Sequence, residues 1–239
     1  MDYIEGFVVA VPTENKQRYL DLAKEALPFF KKHGATRLVE AWGAEVPRGE
    51  VNDLWRAVQA TDDESIVFSW AEFPDKTARD QGQSAMMADA DMQPPAGGMP
   101  FDGKRMIHGG FKVVLDEGGK QRGRFIDSHI LPVPENKRDD YLRQARGLAA
   151  LALEAGALRV VDAWEDDVPH GKVTDFHRAT LVRDDERIVF SWIEWPSAEI
   201  RDQAWQRLMT DPRMQALMEN SAFDGQRVIW GSFETILDS

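Results

Sequence analysis

The sequence predicts an α+β protein made of two ferredoxin-like β-α-β-β-α-β repeats, packed sheet to sheet as a single-chain barrel. Three observations carry this. The chain matches itself without a gap when slid by 122 residues, and about 45 of 114 aligned positions are identical. Each repeat alternates strand-like and helix-like segments in that order. The strands are apolar on both faces, so each sheet needs a cover on the side its helices leave bare, and a second sheet supplies it.

The elements follow in order. Residues 3–11 (YIEGFVVAV) are aromatic and β-branched and stop at Pro12. Thr13 is placed to cap a helix in which Tyr19, Leu22, Ala23, Ala26, Leu27 and Phe30 recur at helical spacing. Pro28 lies inside it, where a kink is expected, and Gly34 ends it. Residues 36–42 (TRLVEAW) form the next strand. Residues 54–60 and 65–73 flank Asp62-Asp63-Glu64 as a hairpin, closed by Pro74. A helix over 76–88 and a strand over 104–115, preceded by a Phe101-Asp102-Gly103 turn, complete the repeat. The copies differ after this helix. The first carries Pro94-Pro95-Ala96-Gly97-Gly98, a loop, and the second Arg213-Met214-Gln215-Ala216-Leu217-Met218-Glu219, which can stay helical. The repeats are expected over 1–116 and 125–239, with 117–124 as a polar, glycine-bearing linker.

Several function classes are excluded by composition. There is no cysteine, which removes disulfides, thiolate metal sites and thiol nucleophiles. The formal net charge of −12 opposes a nucleic-acid partner. No run of 18 apolar residues offers a membrane helix, and Met1–Glu5 has no secretory pattern, so a cytoplasmic protein is expected. No nucleotide-binding loop or nucleophile elbow occurs.

The segments Ile4-Glu5-Gly6-Phe7-Val8, Val39-Glu40-Ala41-Trp42-Gly43, Phe68-Ser69-Trp70 and Met99-Pro100-Phe101-Asp102-Gly103-Lys104-Arg105-Met106-Ile107 resemble the YbaA-like bacterial domains of unknown function. In the second copy, Asp166–Phe176 and Phe190–Ser197 add to the likeness. It covers nearly all of both repeats and implies the dimeric α/β barrel fold. That superfamily includes cofactor-free monooxygenases, isomerases, cyclases, haem enzymes and ligand binders, so the resemblance carries a fold and no activity. Members are typically single domains, and a tandem chain implies a fused dimer. It is expected as a monomer or a homodimer.

Side-chain alternation suggests a site. In the first strand Tyr3, Glu5, Phe7 and Val9 share one face, and Ile4, Gly6, Val8 and Ala10 the other. The smaller set suits helix packing, which turns the larger set into the space between sheets. The same test points Glu40, Trp42, Trp70, Glu72 and His108 inward, with Asp127, His129, Asp162, Trp164, Trp192, Glu194 and Trp230 in the second repeat. The candidate catalytic groups are then the acids Glu5, Glu40, Glu72, Asp127, Asp162 and Glu194, with His129 and His108 as alternatives. A buried carboxyl without a partner has a raised pKa and serves as a general base. Trp42, Trp70, Trp164 and Trp192 would wall a pocket for a small organic ligand, and Arg56 and Arg178 would stabilise developing negative charge. The competing reading pairs the acids with Arg56, Arg178, Arg105 and Arg227 in a fully packed, non-catalytic barrel. None of the five histidines recurs at its partner position and no HxH, HxxxH or HExxH spacing occurs, so neither a metal nor a cofactor is expected.

Overall fold

A computed structural model of the chain describes residues 1–89, 95, 97–119 and 121–239. Its strands and helices are β1 (Tyr3–Pro12), α1 (Lys16–Lys32), β2 (Arg37–Glu45), α2 (Leu54–Ala57), β3 (Glu64–Phe73), α3 (Lys76–Ala88) and β4 (Ile107–Gly118). They recur as β5 (Phe125–Pro134), α4 (Arg138–Ala155), β6 (Arg159–Asp167), α5 (Phe176–Thr180), β7 (Glu186–Trp195), α6 (Ala198–Leu208), the additional α7 (Pro212–Glu219) and β8 (Ile229–Asp238).

The strands close into one antiparallel barrel in the order β1-β3-β2-β8-β5-β7-β6-β4. Six of its eight seams lie within a repeat. The other two, β2 with β8 and β4 with β6, join the repeats, and both carry register shifts. The two sheets therefore become one closed sheet with no free edge. Glu117 and Gly118, expected in the linker, extend β4 beside Val160 and Arg159.

Local chemistry explains most boundaries. Gly34 and Gly156 end α1 and α4 with φ of +99° and +113°, a conformation that costs glycine little. Asp102 and Asp224 accept backbone N–H bonds from Lys104 and Gln226, making the expected turn before the last strand of each repeat. Residues 54–57 are helical and not the strand expected there, because the Asp53 side chain accepts the Arg56 N–H and caps a single helical turn. α1 runs through Pro28, and Thr13 bonds Ser65 in place of capping it. α7 is the helix expected from Arg213–Glu219. The contrasting loop of the first repeat falls partly outside the described residues, at Pro94 and Ala96.

The barrel interior is solid. Phe68 stacks on Phe190 at 4.5 Å between ring centroids, and Trp70 meets Trp192 at 4.4 Å, so the middle strands of the two repeats touch across the barrel. Ile4, Val8, Val39, Ala41 and their counterparts Ile126, Ile130, Val161 and Ala163 pack around them. A Cβ on Gly6 would lie 2.7 Å from the Phe190 ring. One end is plugged where α2 meets α5: Thr174 donates to the Ala57 carbonyl at 2.6 Å, and Asn52 to that of Ala179 at 2.9 Å. The other helices lie outside.

This reverses the expected facing of β1, β2 and β4, and of their counterparts β5, β6 and β8. Ile4, Gly6 and Val8 point in, while Glu5, Glu40, Trp42 and His108, with Asp127, His129, Asp162, Trp164 and Trp230, lie on the outer face. Four large rings from β3 and β7 fill the barrel's centre and Phe111 of β4 and Phe233 of β8 pack against them, so β1, β2, β5 and β6 present smaller side chains to it. Only β3 and β7 face as expected, with Phe68, Trp70 and Glu72, and with Phe190, Trp192 and Glu194, inside.

Candidate functional site

The sequence-derived candidates separate into three places. At the barrel end away from the plug, Glu72 and Glu194 sit in an ion cluster. Arg37 grips Glu194 with two bonds of 2.8 Å and Asp238 with two more, and reaches Glu72 at 3.3 Å. Arg159 mirrors it, holding Glu72 at 2.7 Å and Asp116 at 2.7 and 3.0 Å. The carboxylates raise both guanidinium pKa values further above their usual range, against the opposing effect of burial. Trp70 and Trp192 donate to these same glutamates. Every ring and acid here has a partner, and the cluster reads as structural.

Arg56 and Arg178 are not part of it. Their side chains are about half exposed and bond the carbonyls of Gly49 and Gly171 in their own loops, held there by Asp53 and Asp175. Arg105 and Arg227 neutralise Glu64 and Glu186 at the start of β3 and β7.

Glu5, His108 and Arg79 line a hollow of about 200 Å³ on the outer face of the first repeat, among Phe7, Phe30 and Met106. His108 Nδ1 lies 3.1 Å from Glu5, and Arg79 3.4 Å from the other carboxylate oxygen. Nearby but separate, Tyr19 donates to Glu40 at 2.6 Å. Burial pushes the Glu40 carboxyl up to about 7, opposed by bonds from Tyr19 and Ser69. Trp42 packs edge-on against Tyr19.

The second repeat opens further. A cleft of about 370 Å³ lies between the outer face of β5, β6 and β7 and the helices α4, α6 and α7. Asp162 and Tyr141 form its floor, with His129, Trp205 and Trp230 at one side. Burial raises the Asp162 pKa, partly offset by bonds from Ser191 and Tyr141. Tyr141 is pushed well above its ordinary value by burial and by Asp162. The His129 pKa is lowered, by burial first, so its imidazole is neutral at pH 7. Asp127, by contrast, is locked: Trp195, Trp205, Arg201 and Ser232 all donate to it, at 2.6 to 3.0 Å. Trp164 stacks near Tyr141 on this outer face.

Sequence reasoning missed Tyr141, Ser191 and Trp205, together with Arg37, Arg159, Arg79 and Arg201. Recurrence at the 122-residue offset marks six of these seven, since Tyr19, Ser69 and the two arginine pairs repeat. Trp205 has no such signal, because Gln83 stands opposite. Among the described residues, His170, Asp175 and His177 form a group whose ligand atoms all lie within 4.8 Å of one another, close enough to share a metal ion. The Glu165 carboxylate beside His177 raises that imidazole's pKa.

The model of the family described as Protein of unknown function (DUF1428) matches residues 2–103 and again 124–225. The chain belongs to this family. It is 50% identical over 117 residues to the uncharacterized protein YbaA of Escherichia coli strain K12, matching all of that protein and 49% of this chain, and equally to YbaA of Shigella flexneri. This member of the DUF1428 family thus carries two copies of what YbaA has once. Among solved structures it resembles an anthrone oxidase-like protein, with a TM-score of 0.58 at 11% identity over 100% of this chain and 92% of the other. A putative monooxygenase from Fusobacterium nucleatum subsp. nucleatum gives 0.58 at 8% identity, covering 99% and 93%. Another from Lactobacillus acidophilus NCFM gives 0.55 at 10%, covering 100% and 96%. These likenesses establish the dimeric α/β barrel fold and nothing about activity. No helix among the described residues is long and apolar enough to cross a membrane.

Proposed function

We propose that the protein binds a small, flat, mostly apolar organic molecule in the cleft of its second repeat, and that Asp162 exchanges a proton with it. The carrying observation is the cleft itself: about 370 Å³ of largely apolar space ending on one buried carboxyl–phenol pair. That size and character suit a small-molecule site. Burial raises the Asp162 pKa above the ordinary carboxylate value, the direction that suits a general acid or base. One structural neighbour is named as anthrone oxidase-like, and anthrone is a fused-ring ketone, which agrees with such a ligand. Met218 and Trp230, both exposed, line the cleft and would close over such a ligand.

The test is titration of the full chain with two- and three-ring phenols and ketones, read by tryptophan fluorescence and calorimetry. Binding of at least one compound is expected. Ala145→Trp, which fills the cleft from α4, should abolish it. Asp162→Asn should weaken it while keeping the shape. Binding that survives Ala145→Trp unchanged would overturn the proposal. A second reading, a non-catalytic structural or regulatory protein, draws support from the filled barrel and its fully paired ion cluster. It gains ground if no compound in the panel binds.

A further inference from the structure

We propose that His170, Asp175 and His177 of the second repeat form a binding site for a divalent transition metal such as Zn²⁺, with Glu165 as the group that orients one ligand. The proposal is independent of the cleft, which none of these residues lines. It starts from a comparison of the two copies at equivalent positions. The first repeat has Gly43, Arg48, Asp53 and Trp55, where the second has Glu165, His170, Asp175 and His177. The aspartate is shared and caps the short helix in both copies. The other three positions all change, and each change supplies a part that a metal site needs. In the first repeat the Arg48 guanidinium lies over Trp55, 4.2 Å from the ring centroid. In the second the same stack is two imidazoles, with centroids 4.4 Å apart. A plain stacking role would need neither nitrogen donors nor a carboxylate behind them.

Glu165 settles the tautomer of His177. Its Oε1 lies 2.8 Å from His177 Nε2, and its Oε2 accepts the Ile188 backbone N–H at 2.7 Å, which fixes the carboxylate in place. In the neutral imidazole, a carboxylate accepting from one nitrogen leaves the other with a free lone pair, the arrangement that orients metal-bound histidines. Here that nitrogen is His177 Nδ1. It is buried and has no hydrogen-bond partner among the described residues, a cost that a metal ion would remove. The remaining ligands are close: His170 Nδ1 stands 3.9 Å from Asp175 Oδ2, and all three ligand atoms fall within 4.8 Å. Metal–ligand bonds of about 2.0–2.2 Å bring neighbouring donors nearer than this. The adjustment falls to His170, whose side chain is 79% exposed and free to turn. The opposing feature is Arg178, 3.6 Å from the same carboxylate oxygen. It limits affinity, but its guanidinium also bonds the Gly171 carbonyl and does not sit between the imidazoles. Three protein ligands leave coordination positions open. His170 and Asp175 also line a groove of about 640 Å³ shared with His108, through which water or a small ligand could reach the metal.

The experiment uses the full chain stripped with chelator, then titrated with Zn²⁺ and Ni²⁺ by calorimetry and with Co²⁺ by visible absorption. One equivalent should bind, and Co²⁺ should give the d–d bands of a low-coordinate nitrogen–oxygen site. The double variant H170R/H177W restores the pair that the first repeat tolerates at the same place, so it should fold while losing the site. E165Q should keep the ligands but weaken binding by about 10-fold or more, since second-shell carboxylates typically contribute 10–100-fold. H108F and H129F should bind as wild type does. Absence of binding by all three metals, or binding that persists in H170R/H177W, would overturn the proposal. Neither result would bear on ligand binding in the cleft, which is read with organic compounds and other variants.

Discussion

Replacing Arg37 by methionine tests the view that the barrel end is held by charge. Methionine keeps much of the apolar stem and removes every donor. The guanidinium is only 11% exposed and makes four bonds of 2.8 Å, two each to Glu194 and Asp238. Glu194, with no exposed surface, would keep only Trp192 at 3.2 Å, Gly123 N–H at 3.1 Å and Arg159 at 3.5 Å. Three carboxylates, Glu72, Glu194 and Asp116, would then share the cation Arg159, while Asp238 would keep Arg122 at 3.6 Å. Removing one partner of a buried ion pair costs about 3–5 kcal/mol, because the other is left uncompensated. For a chain of this size that corresponds to a fall of roughly 6–20 °C in Tm. Urea unfolding followed by tryptophan fluorescence should show a lower midpoint at unchanged slope. Arg159→Met should cost a similar amount. Because the two arginines share Glu72 and Glu194, the double variant should depart from additivity by about 0.5–3 kcal/mol. A loss below about 1 kcal/mol for either single variant would refute the reasoning, since that is the scale of a solvated surface pair.

Glu40 gives a pH signature. Its carboxyl is held up to about 7 against an ordinary 4.5, so the folded protein keeps a proton that the unfolded chain has already lost between those values. Stability from this group is therefore greatest below about 4.5 and falls as pH rises through about 7, by about 3 kcal/mol in full. Urea unfolding at pH 5 and pH 8 should show this fall in the wild type and a smaller one in Glu40→Gln; equal falls would sink the assignment. Asp162, raised by the same cause, shifts stability in the same direction. Expressed alone, either 1–116 or 125–239 exposes the edges of two strands that pair only with the other repeat, and each should form a homodimer by light scattering. A stable monomer of either half would contradict the seams β2–β8 and β4–β6 as the force joining them.

The repeat, the order of elements apart from α2 and α5, and the extra α7 were legible in the residues, because duplication and helical periodicity are local patterns. Sidedness was not. In β1 both alternating sets, Tyr3-Phe7-Val9 and Ile4-Val8-Ala10, are apolar, and period two cannot choose between them. The choice depends on Phe68, Trp70, Phe190 and Trp192, which come from elsewhere in the chain and occupy the centre first. That one error moved Glu5, Glu40, Asp127 and Asp162 from a supposed inner chamber to the helix-covered face. The residues from 54 on read as a strand because Leu54, Trp55, Ala57 and Val58 are apolar, although Asp53 carried the capping signal. The histidine group escaped because spacing rules look for ligands on one helix, whereas His170 lies on a loop and His177 on the helix that follows it.

The closed seam between the repeats has a consequence for how such a chain can change. In a homodimer each substitution is made twice and must suit both copies at once. In the tethered barrel it is made once. The shared interior still ties the halves together, because Phe68 leans on Phe190 and Trp70 on Trp192. The outer faces meet instead at ion pairs along their edges, such as Arg79 with Asp167 and Arg201 with Glu45. Glu5 beside His108 on one side, and locked Asp127 beside Trp230 on the other, stand on the same scaffold with different surroundings. One rigid frame thus supports two differently furnished surfaces, which a symmetric pair cannot offer.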